Sequence, residues 1–175
     1  MSGHNKWSKI KNKKAVTDAK KSKSFSKIVK FIQAESRKAD GDINSPGLRL
    51  AISKAKEVNM PKENIERAIK SGSEKGSGVE EITYEAYGPG GCAIIIQALT
   101  DNRNKAAAEV KHILTKNGFS LAGIGSVTWA FEKKEGEWIS KNKMSIPKEE
   151  EEKLESILEE LEDNDEVQEV FTNVE

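Results

Sequence analysis

Cysteine is almost missing from this chain of 175 residues, and Cys92 stands alone. A single thiol excludes an internal disulfide, and no cysteine pair or His/Cys cluster has the spacing of a zinc site. That pattern fits a reducing compartment. Long apolar runs are missing as well: nothing nears the ~20 residues that cross a bilayer. The opening MSGHNKWSKIKNKK lacks the apolar stretch of a signal peptide and the arginines of a transit peptide. The reading is a soluble cytoplasmic protein with no membrane partner. Histidine is scarce, and His4 and His112 are far apart with no nucleophile nearby, so no metal site and no catalytic triad is expected. No nucleotide motif is present either. The expectation is a binding protein and not an enzyme, with no catalytic residue, no cofactor and no small-molecule substrate.

What is present is charge. The formal net charge is zero, which taken alone would argue against a nucleic-acid partner. The average conceals a polarity: residues 1–75 hold 19 Lys/Arg against 8 Asp/Glu, and residues 76–175 hold 10 against 21. The two halves are suited to different partners, and only the first suits a polyanion.

Periodicity divides the chain at the same place. Over residues 16–39, Phe25, Ile28, Val29 and Ile32 recur at helical spacing, and Asp40-Gly41 supplies a stop. Ser45-Pro46 opens a second helix with Leu48, Ala51, Ile52 and Ala55 inward. A third begins near Pro61, carries Ile65, Ala68 and Ile69, and is expected to end at Gly72. Residues 72–78 then have the Gly/Ser composition of a flexible linker.

Beyond it the period becomes that of strands. Residues 82–87, the turn Gly88-Pro89-Gly90-Gly91 and residues 92–99 read as a β-hairpin. A helix over 103–116 follows, capped by Asp101 or Asn102 and ended by Gly118. Strands are expected at 126–131 and 137–146, an amphipathic acidic helix at 148–161 and a closing strand at 167–174. The fold class is therefore α+β: a basic three-helix domain with a lysine arm (1–71), a linker (72–78) and an antiparallel α/β sandwich (79–175) of order β-β-α-β-β-α-β.

The candidate binding residues are concentrated at the start: Lys6, Trp7, Lys9, Lys11, Lys13, Lys14, Lys20, Lys21 and Lys23. Clustered ammonium groups bind phosphates by releasing condensed counterions, without fixed geometry and without base specificity. Trp7 has no core to serve in so polar a segment, and an indole among lysines can stack on an exposed base. The alternative is a solvated tail with an incidental Trp. Arg103 and Lys105, at a helix start within Thr100-Asp101-Asn102-Arg103-Asn104, are secondary candidates; capping explains the polar residues there equally well. Gly88-Pro89-Gly90-Gly91 joins two strands and opens no helix, so turn geometry explains it better than a phosphate cradle. The acidic runs 149–152 and 159–165 read as a solvated helix face.

Five ordered segments resemble the YebC/PmpR family: GHNKWSKIK at 3–11, NMPKENIERAI at 59–69, YGPGG at 87–91, LTDNRN at 99–104 and GSVTWAF at 125–131. The resemblance implies a DNA-binding transcriptional regulator, with translation and the ribosome as the alternative setting, so the implied partner is DNA or ribosomal RNA. It also implies three domains, the third inserted within the second. Here Phe131 is followed within a few residues by Trp138 and Met144-Ser145-Ile146-Pro147, so the expectation is a shortened form without the inserted domain.

Overall fold

The computed structural model describes residues 18–175 apart from 77 and 136, with side chains from Ser24 onward. Among the described residues the chain forms two compact units. One takes in the residues up to Ile82 together with Leu99–Ala106, and the other Thr83–Ala98 with Ala107–Glu175.

The first unit is built on α1 (Asp18–Lys38), α2 (Pro46–Glu57) and α3 (Lys62–Ser73). α1 packs against both of the others. Ile28, Ile32, Leu48, Ala51, Ala55, Met60, Ile65 and Ala68 meet in one core, and burying each large member contributes about 1.5–3 kcal/mol. The ends follow from local chemistry. Ser45 Oγ accepts from the Leu48 N–H at 3.3 Å, and Pro46 occupies a position where its missing N–H costs nothing. α1 and α2 close alike: Asp40 and Gly41 (φ 50° and 78°) turn the chain so that the Gly41 N–H bonds the Ser36 carbonyl at 2.9 Å. Asn59 (φ 57°) does the same for Met60 and Ala55, also at 2.9 Å.

α3 does not stop at Gly72 but continues to Ser73. The reason is packing: a Cβ on Gly72 would lie 2.5 Å from the Gln33 carbonyl oxygen, so this glycine lets two backbones approach inside a helix. Around it Ser36 Oγ donates to the Ile69 carbonyl at 2.7 Å and Gln33 Nε2 donates to Ser71 Oγ at 2.8 Å. Val79 and Leu99 then bury themselves against Ala34, and Arg37 donates to the Val79 carbonyl at 3.3 Å.

The second unit is an antiparallel sheet with helices on one face. β1 (Glu80–Tyr87) and β2 (Ala93–Thr100) form a hairpin whose tip, Pro89–Gly91, is a single 3-10 turn with Gly90 and Gly91 at φ 68° and 78°. With β3 (Leu121–Ala122) and β6 (Val167–Thr172) they give a four-stranded sheet ordered β3-β1-β2-β6. β3 pairs antiparallel to β1, and β6 antiparallel to β2. Because β2 is covered on both sides it is buried throughout. Ile94 and Ile96 face Val110, Ile113 and Leu114 of α4 (Arg103–Lys116) and Leu154, Ile157, Leu158 and Leu161 of α5 (Lys148–Glu162). Ala93 and Ile95 face the opposite way, onto Val127, Ala130, Phe131 and Phe171, with Trp138 packed alongside.

That opposite cover departs from the sequence expectation. Residues 126–131 do not form a strand: Thr128–Ala130 is a 3-10 turn, and β4 runs over Phe131–Lys134. β5 occupies only Glu137–Ser140 and pairs with β4 in a separate two-stranded sheet. The Lys141 N–H bonds the Ala130 carbonyl at 2.9 Å and so ends the ladder, after which Met144 makes one isolated bridge to Val174.

Cys92 lies buried at the start of β2, and burial pushes its thiol up to about 11. The reactive thiolate is therefore scarce at pH 8. We expect the folded chain to resist a thiol reagent such as DTNB at that pH, and one equivalent to react on addition of denaturant. Rapid labelling of the native protein would contradict this burial.

Candidate nucleic-acid interface

The basic residues of the stretch 1–75 include two concentrations. Lys6, Trp7, Lys9, Lys11, Lys13, Lys14, Lys20, Lys21 and Lys23 lie outside the residues whose side chains are described. The other is the outer face of α2. Leu48, Ala51 and Ala55 turn inward and leave Arg49, Ser53, Lys54 and Lys56 exposed. Lys54 Nζ stands 5.5 Å from the Phe31 ring centroid, which holds its ammonium over an aromatic face. Among the described residues, Arg49 and Lys56 have no carboxylate partner. The sequence carries a signal for this face: Arg49, Ser53 and Lys56 follow one another at helical spacing with no acid between them along that line.

α3 is different. Lys62 pairs with Glu66 at 3.5 Å, and Glu63, Arg67 and Lys70 share its exposed surface, so its field is mixed in sign. Lys38, at the end of α1, sits between Glu35 at 2.8 Å and Glu81 at 3.3 Å. Burial alone would lower its pKa, but the hydrogen bond to Glu35 and the two carboxylate charges outweigh burial and raise it. Its charge is already neutralised locally.

Arg103 and Lys105 stand on the first turn of α4. Asn102, not Asp101, is the cap: its Oδ1 accepts from the Lys105 N–H at 3.1 Å, and Thr100 Oγ1 accepts from the Asn102 N–H at 2.9 Å. The Arg103 guanidinium faces Glu80 in a two-pronged pair, Nε to Oε1 at 3.2 Å and Nη2 to Oε2 at 2.8 Å. That hydrogen bonding pulls the Glu80 carboxyl below its ordinary range. Both groups are open to solvent, so the pair adds little stability and a phosphate can compete for the guanidinium. Lys105 is exposed on the same turn.

In the second unit the most built polar feature is Glu85. It is buried in β1, with Oε2 accepting from the Gly125 N–H at 2.6 Å and Oε1 accepting from the Val127 and Thr128 N–H groups at 3.0 Å each. Those N–H groups are thereby unavailable to a strand ladder, which is why 126–131 turns instead of extending. Among the described residues, no group of His, Cys, Asp or Glu is arranged to hold a metal ion, and no helix is long and apolar enough to cross a membrane.

The profile of the TACO1/YebC protein N-terminal domain matches residues 5–75, and that of the TACO1/YebC second and third domain matches 79–136 and 133–174. The chain belongs to the TACO1/YebC family. A probable transcriptional regulatory protein of Syntrophobacter fumaroxidans is 47% identical over 178 residues, spanning 100% of this TACO1/YebC chain and 72% of that relative. A probable transcriptional regulatory protein of Pseudothermotoga lettingae is 54% identical over 137 residues, 77% of this chain and 54% of its own length. The matched part is thus between about half and three-quarters of these relatives. A crystal structure of a conserved hypothetical protein from Aquifex aeolicus superposes with a TM-score of 0.83 at 31% identity, over 90% of this chain and 91% of that one. The two pieces of the second match meet at 133–136, where the TACO1/YebC chain makes the β4–β5 hairpin with Lys134 opposite Glu137.

Proposed function

We propose that this chain is a nucleic-acid-binding regulator of gene expression that acts by binding and not by catalysis. The observation that carries the proposal is the charge polarity: 19 Lys/Arg against 8 Asp/Glu in residues 1–75, within a family whose matched relatives are named probable transcriptional regulatory proteins. The lysine arm leads the contact, α2 extends it through Arg49, Lys54 and Lys56, and Arg103 and Lys105 are secondary. Residues 72–78 remain the proposed boundary between the basic and acidic domains. DNA is the partner that the relatives' names suggest.

Ribosomal RNA is the second reading, and the mixed charge on the outer face of α3 favours it. A major-groove reader needs a helix that offers donors to base edges along a phosphate-lined groove, and alternating acids oppose that approach. Folded RNA is recognised by phosphate contacts, shape and stacking, which lysines and small domains supply.

Purified chain tested in parallel for ribosome co-sedimentation and for retention on duplex DNA with excess competitor, at one salt concentration, separates the two. DNA retention that survives the competitor supports a role in transcription, and co-sedimentation supports one in translation. Absence of both contradicts nucleic-acid binding.

A further inference from the structure

The second unit exposes a cluster of large apolar side chains that the acidic composition of its half of the chain does not lead one to expect. Ile124 is fully exposed at a loop tip, Trp129 is 52% exposed and Tyr87 is 43% exposed. Their setting is not a loose loop. Glu85 fixes residues 125–128 through the three backbone N–H bonds described above. Tyr87 Oη then donates to the Ser126 carbonyl at 2.6 Å, and Trp129 Nε1 donates to the same oxygen at 2.8 Å. Both rings are therefore pinned to one atom, and the polar group of each is already used. What remains open is apolar ring surface.

A cationic edge adjoins them. The carbonyl of Ala130, next to Trp129, accepts from the Lys141 and Asn142 N–H groups at 2.9 and 3.3 Å, which brings the exposed segment 141–143 alongside. Among the described residues, Lys141 and Lys143 have no carboxylate partner. Fixed aromatic rings beside a backbone segment that carries two exposed lysines match the two parts of a single-stranded nucleotide, the flat base and its phosphate.

We propose that Tyr87, Ile124 and Trp129 form a base-stacking platform for single-stranded nucleic acid, with Lys141 and Lys143 contacting the adjoining phosphates. It rests on the reading of the chain as a nucleic-acid binder and adds a site in the domain that is otherwise acidic. Ile124 supplies an apolar wedge against the edge of a stacked base. Duplexes, whose bases are already stacked, gain nothing from it.

The test uses the full chain and a fluorescent 20-mer single-stranded RNA beside a duplex of equal length. Trp129→Ala should weaken single-strand binding by at least about fivefold and leave duplex binding unchanged. Trp129→Phe keeps a ring but loses the bond to Ser126, and should retain most of the affinity. Lys141→Gln with Lys143→Gln should weaken single-strand binding and reduce its salt dependence. Unfolding midpoints of all variants control for folding. Unchanged single-strand affinity in Trp129→Ala would overturn the platform and leave the patch to an apolar protein partner. Equal losses on duplex, or a Phe variant as weak as the Ala variant, would also overturn it. If the wild-type chain binds neither probe, the nucleic-acid reading itself fails and the platform with it.

Discussion

Glu85→Ala is expected to lower the stability of the second unit by about 2–5 kcal/mol, the cost of stranding three backbone donors at up to about 1–3 kcal/mol each. Three backbone N–H groups, of Gly125, Val127 and Thr128, lose their partner at once. The Val127 N–H cannot turn to bulk water instead, since Val127 is fully buried in the core with Ile95, Ala130 and Phe171. Glu85→Gln preserves shape but offers one acceptor oxygen in place of two, and should cost about half as much. Chemical denaturation monitored through tryptophan fluorescence reads both variants. A Glu85→Ala protein within about 1 kcal/mol of wild type would show that the loop is held by its apolar contacts alone.

The second large effect concerns the arm. Replacing Lys9, Lys11, Lys13 and Lys14 with Gln should weaken binding of RNA and DNA alike by tenfold or more, because each lost phosphate contact forfeits counterion release whatever the sequence. Trp7→Ala should behave differently. Stacking needs an unpaired base, so its removal should cost about 1–3 kcal/mol on single-stranded or looped RNA and little on duplex DNA. Anisotropy titrations with the two probes distinguish these outcomes. Equal losses from Trp7→Ala on both would remove its stacking role.

Helices were the most legible part of the fold. Apolar spacing of Leu48, Ala51 and Ala55, and of Leu154, Ile157, Leu158 and Leu161, translates directly into buried faces, and the signals at Ser45-Pro46 and Gly118 place helix ends where the structure has them. Glycine was less so. Gly72 reads as a helix stop in sequence, yet it serves a close crossing of α1 and α3 that only the tertiary structure reveals. Glu85 was not legible at all: in the pattern Tyr84-Glu85-Ala86-Tyr87 it looks like the solvent-facing member of an alternating strand. Its burial depends on a loop some 40 residues away, and so does the failure of 126–131 to extend. For the interface, sequence drew attention to lysine density and so to the arm. The basic face of α2 has a signal in the spacing of Arg49, Ser53 and Lys56, whereas the pairing of Arg103 with Glu80 required three dimensions, because it depends on a distant acid.

Binding led by the positive charge gathered in the first 75 residues must be salt-dependent. Its most direct test is the salt dependence of affinity for the intact chain and for the arm variant, measured on one single-stranded RNA. For the wild type, log affinity should fall steeply and linearly with log salt. In the Lys9/Lys11/Lys13/Lys14→Gln protein the slope should be shallower by about one for each phosphate contact removed. Identical slopes and affinities for the two proteins would contradict it.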